Sequence, residues 1–369
     1  MNRPTRRRRR QRRRGLAPLL IPAIVGALAI FAATHYATEW GKAQSPAASV
    51  VGPEVIARAE EAAAPVIIAT AIPPLRPTEA RPTATPSRPT NTPAPLTATR
   101  SVESAAATPL IAQVLAPAPF SSDLVLATQI SARVAGRSGR YGIAVKNLRT
   151  GQGVLLDPNG EYEAASLFKL PVMYEVFKQR EGGLLSFDEQ LMLTERHVAY
   201  DLGTLDRPAG SNIRLGEALE RMITISDNSS AILLTDRVGA LAVNQDAANL
   251  GLPHTRVLLD DLTTSPADML RLLEMIALGQ AVSPRASGEM TQLLAQQRVN
   301  DRIPSLLPTG TIVAHKTGNV PGVVNDVGIV YGPAGPFVVA VLVDGTDDDG
   351  EAARVTADIA LMAYRRFAS

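Results

Sequence analysis

Cysteine is absent from this 369-residue chain, and histidine occurs only four times. The first absence excludes structural disulfides, cysteine-ligated zinc, iron–sulfur clusters, a thiol nucleophile and a lipidated cysteine. The histidines (His35, His197, His254, His315) show no HExxH or His-x-x-x-His spacing, so a zinc hydrolase is disfavoured and no metal is expected. No cofactor is expected either. The overall formal charge of +2 conceals a split. Nine arginines crowd the first 14 residues, whereas from residue 121 onward 29 Asp and Glu outnumber 22 Lys and Arg, a formal charge of −7. The folded part is not basic, and nucleic acid is not an expected partner.

Residues 15–38 carry no formal charge, and Leu16 to Thr34 is nearly all aliphatic. A helix of that length crosses the hydrocarbon layer, and the arginines before it favour the cytoplasmic side. The expectation is a single-pass protein of the bacterial cell membrane. Residues 1–14 form its cytoplasmic tail, 15–38 its transmembrane anchor, and the remainder is extracytoplasmic. A cleaved signal peptide is the alternative, though its apolar core is usually only about 7–15 residues. Half of the 28 prolines fall within residues 41–120. Proline at that density blocks helices and central strands, so 39–120 reads as a disordered Pro/Thr/Ala-rich linker.

The remaining segment, 121–369, is large enough to bury its own core. Helical patterns occur at 122–135, 166–181, 215–223, 228–240, 266–278, 284–298 and 350–367. Strand patterns occur at 141–147, 152–156, 311–317, 323–331 and 336–343. Ser265 is the expected N-cap of the fifth helix, with Pro266 in its first turn. Two strands, a helical block, three strands and a final helix predict an α+β fold: one antiparallel sheet flanked by helices, with an all-helical subdomain.

Three short motifs carry chemistry. Ser166-Leu167-Phe168-Lys169 places a hydroxyl and an amine on one helical face, one turn apart. Ser226-Asp227-Asn228 separates two helices and on its own reads as a capped turn. Lys316-Thr317-Gly318 ends a strand, where a lysine is also an ordinary edge charge. Ser166 needs a base to become nucleophilic, and Lys169 serves if its ammonium is destabilised; otherwise it only orients neighbours. His315, adjacent to Lys316 on a strand, points the other way and reads as structural.

In this order and spacing the motifs resemble the penicillin-recognising serine enzymes, most closely the class A β-lactamase family, over residues 122–367. Phe168 to Val172, the Thr263/Thr264/Pro266/Met269 pattern, Arg302 and Asn325-Asp326 add to the likeness. The resemblance implies an acylatable Ser166 with Lys169, Ser226, Asn228 and Lys316 as catalytic partners. It implies a substrate-binding set of Thr317, Gly318, Asn319 and Arg302, and an oxyanion site at the backbone N–H groups of Ser166 and Asn319. Tyr200 either walls the cleft or packs its own loop. The expected partner is a small β-lactam or peptidoglycan-derived substrate, met by a monomer.

One departure stands out. The family carries a water-activating glutamate in an E-x-x-L-N loop, and residues 249–269 here contain no glutamate. Asp260 and Asp261 are the carboxylates in the connection before the Ser265 cap and are the candidates to replace that glutamate. The expectation is an acyl-enzyme that forms readily and hydrolyses slowly. A peptidoglycan D,D-peptidase or esterase, or a non-catalytic wall-binding module, are the alternatives.

Overall fold

The structure, a computed structural model, describes residues 116–258 and 260–368. Aliphatic runs build three successive antiparallel strands, Ile312–Val320, Val323–Gly332 and Gly335–Asp344. The last of these pairs with Arg140–Asn147, which pairs in turn with Gln152–Leu156. Ser121–Ser122 adds a parallel sixth strand at that edge. The period of two sorts side chains between the sheet's faces. Val339, Val341 and Val343 pack with the helices Leu124–Val134 and Asp349–Phe367. Val338, Ala340 and Leu342 face the other helices, among them Lys169–Glu181, Leu215–Thr224, Asn228–Val238 and Pro266–Ala277. The result is the expected α+β fold, with its helical subdomain on one face of the sheet and the two terminal helices on the other.

Local signals explain most boundaries. Ser265 accepts from the Asp268 N–H, as an N-cap with Pro266 behind it should. The expected helix 228–240 stops at Val238, because Gly239 adopts φ 89°, and a separate helix, Ala240–Asn249, starts there. A second small sheet joins Tyr162–Glu163, Asp261–Thr264 and Arg256–Leu258. Its strands are too short to carry a readable alternation.

The transmembrane part of the expectation is corrected. Among the described residues no helix is long and apolar enough to cross a membrane. The longest helix discussed above, Asp349–Phe367, carries Asp349, Glu351, Arg354, Asp358, Arg365 and Arg366. The arginine-rich tail, the expected anchor at 15–38 and residues 39–115 lie outside the described residues. Among the described residues the fold thus contains no transmembrane helix, and no described element supports the expected membrane partner or single-pass location.

Candidate active site

Ser166 lies in a 3-10 turn, Ala165–Phe168, that runs into the helix Lys169–Glu181. The helix expected from 166 thus begins with a tighter turn, and Ala165 before the serine adopts φ 44°. Strand Ile312–Val320 presses against this turn. A Cβ on Gly318 would lie 2.9 Å from the Ala164 carbonyl oxygen and 3.3 Å from the Ser166 nitrogen. Glycine at 318 is what permits the approach.

Lys169 is fully buried. Its Nζ lies 3.0 Å from Ser166 Oγ, 3.0 Å from Ser226 Oγ, 2.6 Å from the Ser226 carbonyl and 2.6 Å from Asn228 Oδ1. Ser226, at φ 60°, is presented by the turn before the helix Asn228–Val238. Asp227 fixes that turn: its Oδ1 accepts from the Ser230 N–H at 2.6 Å, and the Thr204 hydroxyl donates to its Oδ2. Lys316, also fully buried, donates to Ser226 Oγ at 3.0 Å and to the Thr317 carbonyl at 2.8 Å. Two lysines thus converge on one serine hydroxyl.

Burial drives the Lys169 pKa well below its usual range, and the neighbouring positive charge of Lys316 pushes it further, against a smaller pull from Asp227. Burial lowers Lys316 to about 7, with Asp326 opposing and Arg302 assisting the fall. His315 points away from the lysines, as alternation predicts. Its Nδ1 is 2.9 Å from Asp326 Oδ1 and its Nε2 is 3.0 Å from Asn300 Oδ1. Asp326 also accepts from the Ile303 N–H at 3.0 Å, tying the segment that carries Arg302 to the strand. The Arg302 side chain is buried, and its Nε and Nη1 have no hydrogen-bond partner among the described residues.

The structure therefore brings together Ser166, Lys169, Ser226, Asn228 and Lys316, with Thr317 and Gly318 on the same strand and Arg302 within electrostatic reach of Lys316. Asn319 follows on that strand, opposite Val324. Three expected residues are not joined to this network. Tyr200 is half-buried, and its backbone N–H donates to the His197 carbonyl at 3.2 Å. Asp261 accepts from Arg256 Nε at 2.8 Å within the Arg256–Leu258/Asp261–Thr264 hairpin, and Asp260 is exposed at its bend. Among the described residues no His, Asp and Glu group is placed to hold a metal.

Sequence reasoning passed over Glu163. Its Oε1 accepts from the Ala165 N–H at 3.1 Å, and its carbonyl accepts from Asn325 Nδ2 at 2.8 Å. A lone acidic residue near a strand end carries no signal of such a role; Asn325, quoted for the resemblance, was the available clue.

Comparison with known proteins identifies the family. Residues 125–367 match the family model Beta-lactamase2, described as the beta-lactamase enzyme family. The extended-spectrum beta-lactamase PER-1 of Pseudomonas aeruginosa is 25% identical over 65% of this chain and 87% of its own length. A beta-lactamase of Streptomyces albus G is 29% identical over 59% and 79%. Among solved structures, PBP-A superposes with a TM-score of 0.65 at 30% identity, covering 68% of this chain and 99% of PBP-A. A beta-lactamase from Sphaerobacter thermophilus gives 0.60 at 26% identity, over 66% and 96%. The chain belongs to the beta-lactamase enzyme family, within the serine β-lactamase and PBP-like superfamily of serine-hydrolase-like enzymes.

Proposed function

We propose that this protein is a serine hydrolase of the class A β-lactamase type that acylates readily on Ser166 and deacylates slowly. The observation that carries the first step is the 3.0 Å contact between Lys169 Nζ and Ser166 Oγ. As a neutral amine, Nζ has two N–H groups for the Ser226 carbonyl and Asn228 Oδ1, and a lone pair for the Ser166 hydroxyl. Ser166 Oγ attacks the substrate carbonyl while Lys169 takes its proton. The backbone N–H groups of Ser166 and Asn319 receive the oxyanion. Ser226, between both lysines, gives its proton to the departing nitrogen and is reprotonated by Lys169, which thereby passes on the proton taken from Ser166, and the carbon–nitrogen bond breaks. Lys316, Thr317 and Arg302 receive the substrate carboxylate, whose charge favours protonated Lys316.

The second step needs an activated water, and among the described residues no carboxylate is hydrogen-bonded to Ser166 or Lys169. Asp261 is engaged by Arg256. The test is intact mass against time with a penicillin. A Ser166-dependent adduct should persist for minutes, and Asp260→Asn and Asp261→Asn should leave its decay unchanged. Steady turnover on the order of tens per second would refute slow deacylation. A D,D-peptidase or esterase is the second reading. The likeness to PBP-A at 30% identity, a variant of which is described as an acyl-enzyme complex with penicillin G, supports acylation and is compatible with either reading. Ser166-dependent cleavage of a peptide ester, without turnover of any β-lactam, would select it.

A further inference from the structure

We infer that Glu163 is a positioning residue for the nucleophile: its carboxylate holds the left-handed Ala165 and so aims Ser166 at Lys169. The inference rests on the proposed acylation of Ser166. An alanine at φ 44° crowds its β-carbon against the neighbouring carbonyl. Such a conformation persists only where the surroundings impose it.

Those surroundings divide by residue. The Glu163 N–H donates to Asp344 Oδ2 at 3.1 Å, and its carbonyl accepts from Asn325 Nδ2 at 2.8 Å. The Ala164 N–H donates to the Leu262 carbonyl at 2.8 Å, and its carbonyl accepts from the Leu167 N–H at 2.9 Å. Asn325 is itself fixed, because its Oδ1 accepts from the Val343 N–H at 3.0 Å. These bonds clamp the main chain of 163 and 164 to the sheet. The Ala165 N–H is held by Glu163 Oε1 at 3.1 Å, the one bond recorded for it among the described residues. Without that bond, residue 165 is free to relax towards a right-handed conformation and carry Ser166 with it. Burial and the like charges of Asp344 and Asp261 raise the Glu163 pKa. A protonated carboxyl keeps its carbonyl oxygen, so the contact survives titration.

The experiment uses the full chain with Glu163→Ala, Glu163→Gln, Ala165→Gly and the Glu163→Ala/Ala165→Gly double variant. Stopped-flow acylation by a chromogenic cephalosporin gives the saturating rate and the half-saturating concentration, and thermal melts report folding. Glu163→Ala should lower the saturating rate about tenfold or more, with half-saturation little changed, because attack geometry is lost and the binding residues are not. Glu163→Gln keeps an acceptor oxygen and should stay close to wild type. Glycine adopts positive φ without strain, so the double variant should recover much of the rate. A wild-type rate in Glu163→Ala overturns the inference, as does failure of both rescues. Normal acylation with slower adduct loss overturns it too, and assigns Glu163 to the water step instead. If the wild-type protein forms no adduct on Ser166, the acylation reading fails before the variants are compared, and the inference falls with it.

Discussion

Replacing Lys316 by Met should shift the pH dependence of Ser166 acylation towards alkali. Both lysine amines lie 3.0 Å from Ser226 Oγ, so they are no more than about 6 Å apart. Two like charges at about 6 Å repel by about 3 kcal/mol at an effective dielectric constant near 20. This repulsion, after burial, pushes the Lys169 pKa down. The sign follows directly. A neighbouring positive charge disfavours the ammonium, so removing it lets Lys169 stay protonated to higher pH. In the proposed mechanism the base is the neutral amine, and its fraction at neutral pH drops. At a difference of about 3 kcal/mol the acylation rate near pH 7 falls by up to roughly 100-fold, and recovers as pH rises. Because Lys316 itself titrates near 7, the full effect appears only where it is charged. Methionine keeps most of the volume, which limits cavity effects in the core. The assay is single-turnover acylation from pH 5 to 10 with a neutral aryl ester, so that loss of a carboxylate contact cannot masquerade as loss of the base. An acidic limb that stays at its wild-type pH would refute the claim that Lys316 tunes Lys169.

Two further outcomes follow from buried groups away from the nucleophile. Arg302→Ala should weaken acylation by about 2 kcal/mol for carboxylate-bearing substrates and much less for a neutral ester; equal losses in kcat/KM on both would make Arg302 structural. Glu175, buried and close to Asp246, has its pKa raised to about 7, burial being the larger cause. A raised folded-state value gives stability that is complete at acid pH, below the ordinary glutamate range, and is lost as pH rises through about 7. Wild-type Tm should therefore decline between pH 5 and pH 8, and Glu175→Gln should flatten that decline; an unchanged slope would show that Glu175 is not the group responsible.

Long elements and motif order were legible because they follow from periodicity and capping. The strands Val323–Gly332 and Gly335–Asp344, the cap at Ser265 and the orientation of His315 all come from local pattern. Chemistry was legible where two groups share one short motif, as Ser166 and Lys169 do. Contacts across the chain were not. Asn325 reaches the nucleophile turn from 161 to 162 positions away, and Glu163 acts on Ala165 through a two-residue loop that has no compositional signature. Short strands such as Tyr162–Glu163 are defined by their partners and leave no alternation to read. The hydrophobic run at 15–38, whose length and apolarity suggested a membrane span, lies outside the described residues, among which no helix is long and apolar enough to cross a membrane.

The two halves of the reaction rest on different parts of this architecture, which is why one can be intact while the other is weak. Most groups of the acylation set are carried by elements that pack on the core, and Ser226 by the turn between two such helices. Ser166 lies in the 3-10 turn Ala165–Phe168 that leads into the helix Lys169–Glu181, Lys169 at that helix's start, Asn228 at the start of Asn228–Val238, and Lys316 on a central segment of Ile312–Val320. Their mutual distances are therefore set by helix–sheet packing, which tolerates little displacement. The family resemblance implies that a water-activating carboxylate would come from the connection between Asn249 and Pro266. In this chain that connection is spent on the hairpin Arg256–Leu258/Asp261–Thr264, where Arg256 binds both Asp261 and Glu161. To serve the acyl-enzyme, Asp261 would have to give up that ion pair and move towards Ser166. A displacement of about 1 Å already costs on the order of 100-fold in rate. On the proposed reading, ready acylation with a long-lived product is the kinetic outcome expected from that geometry.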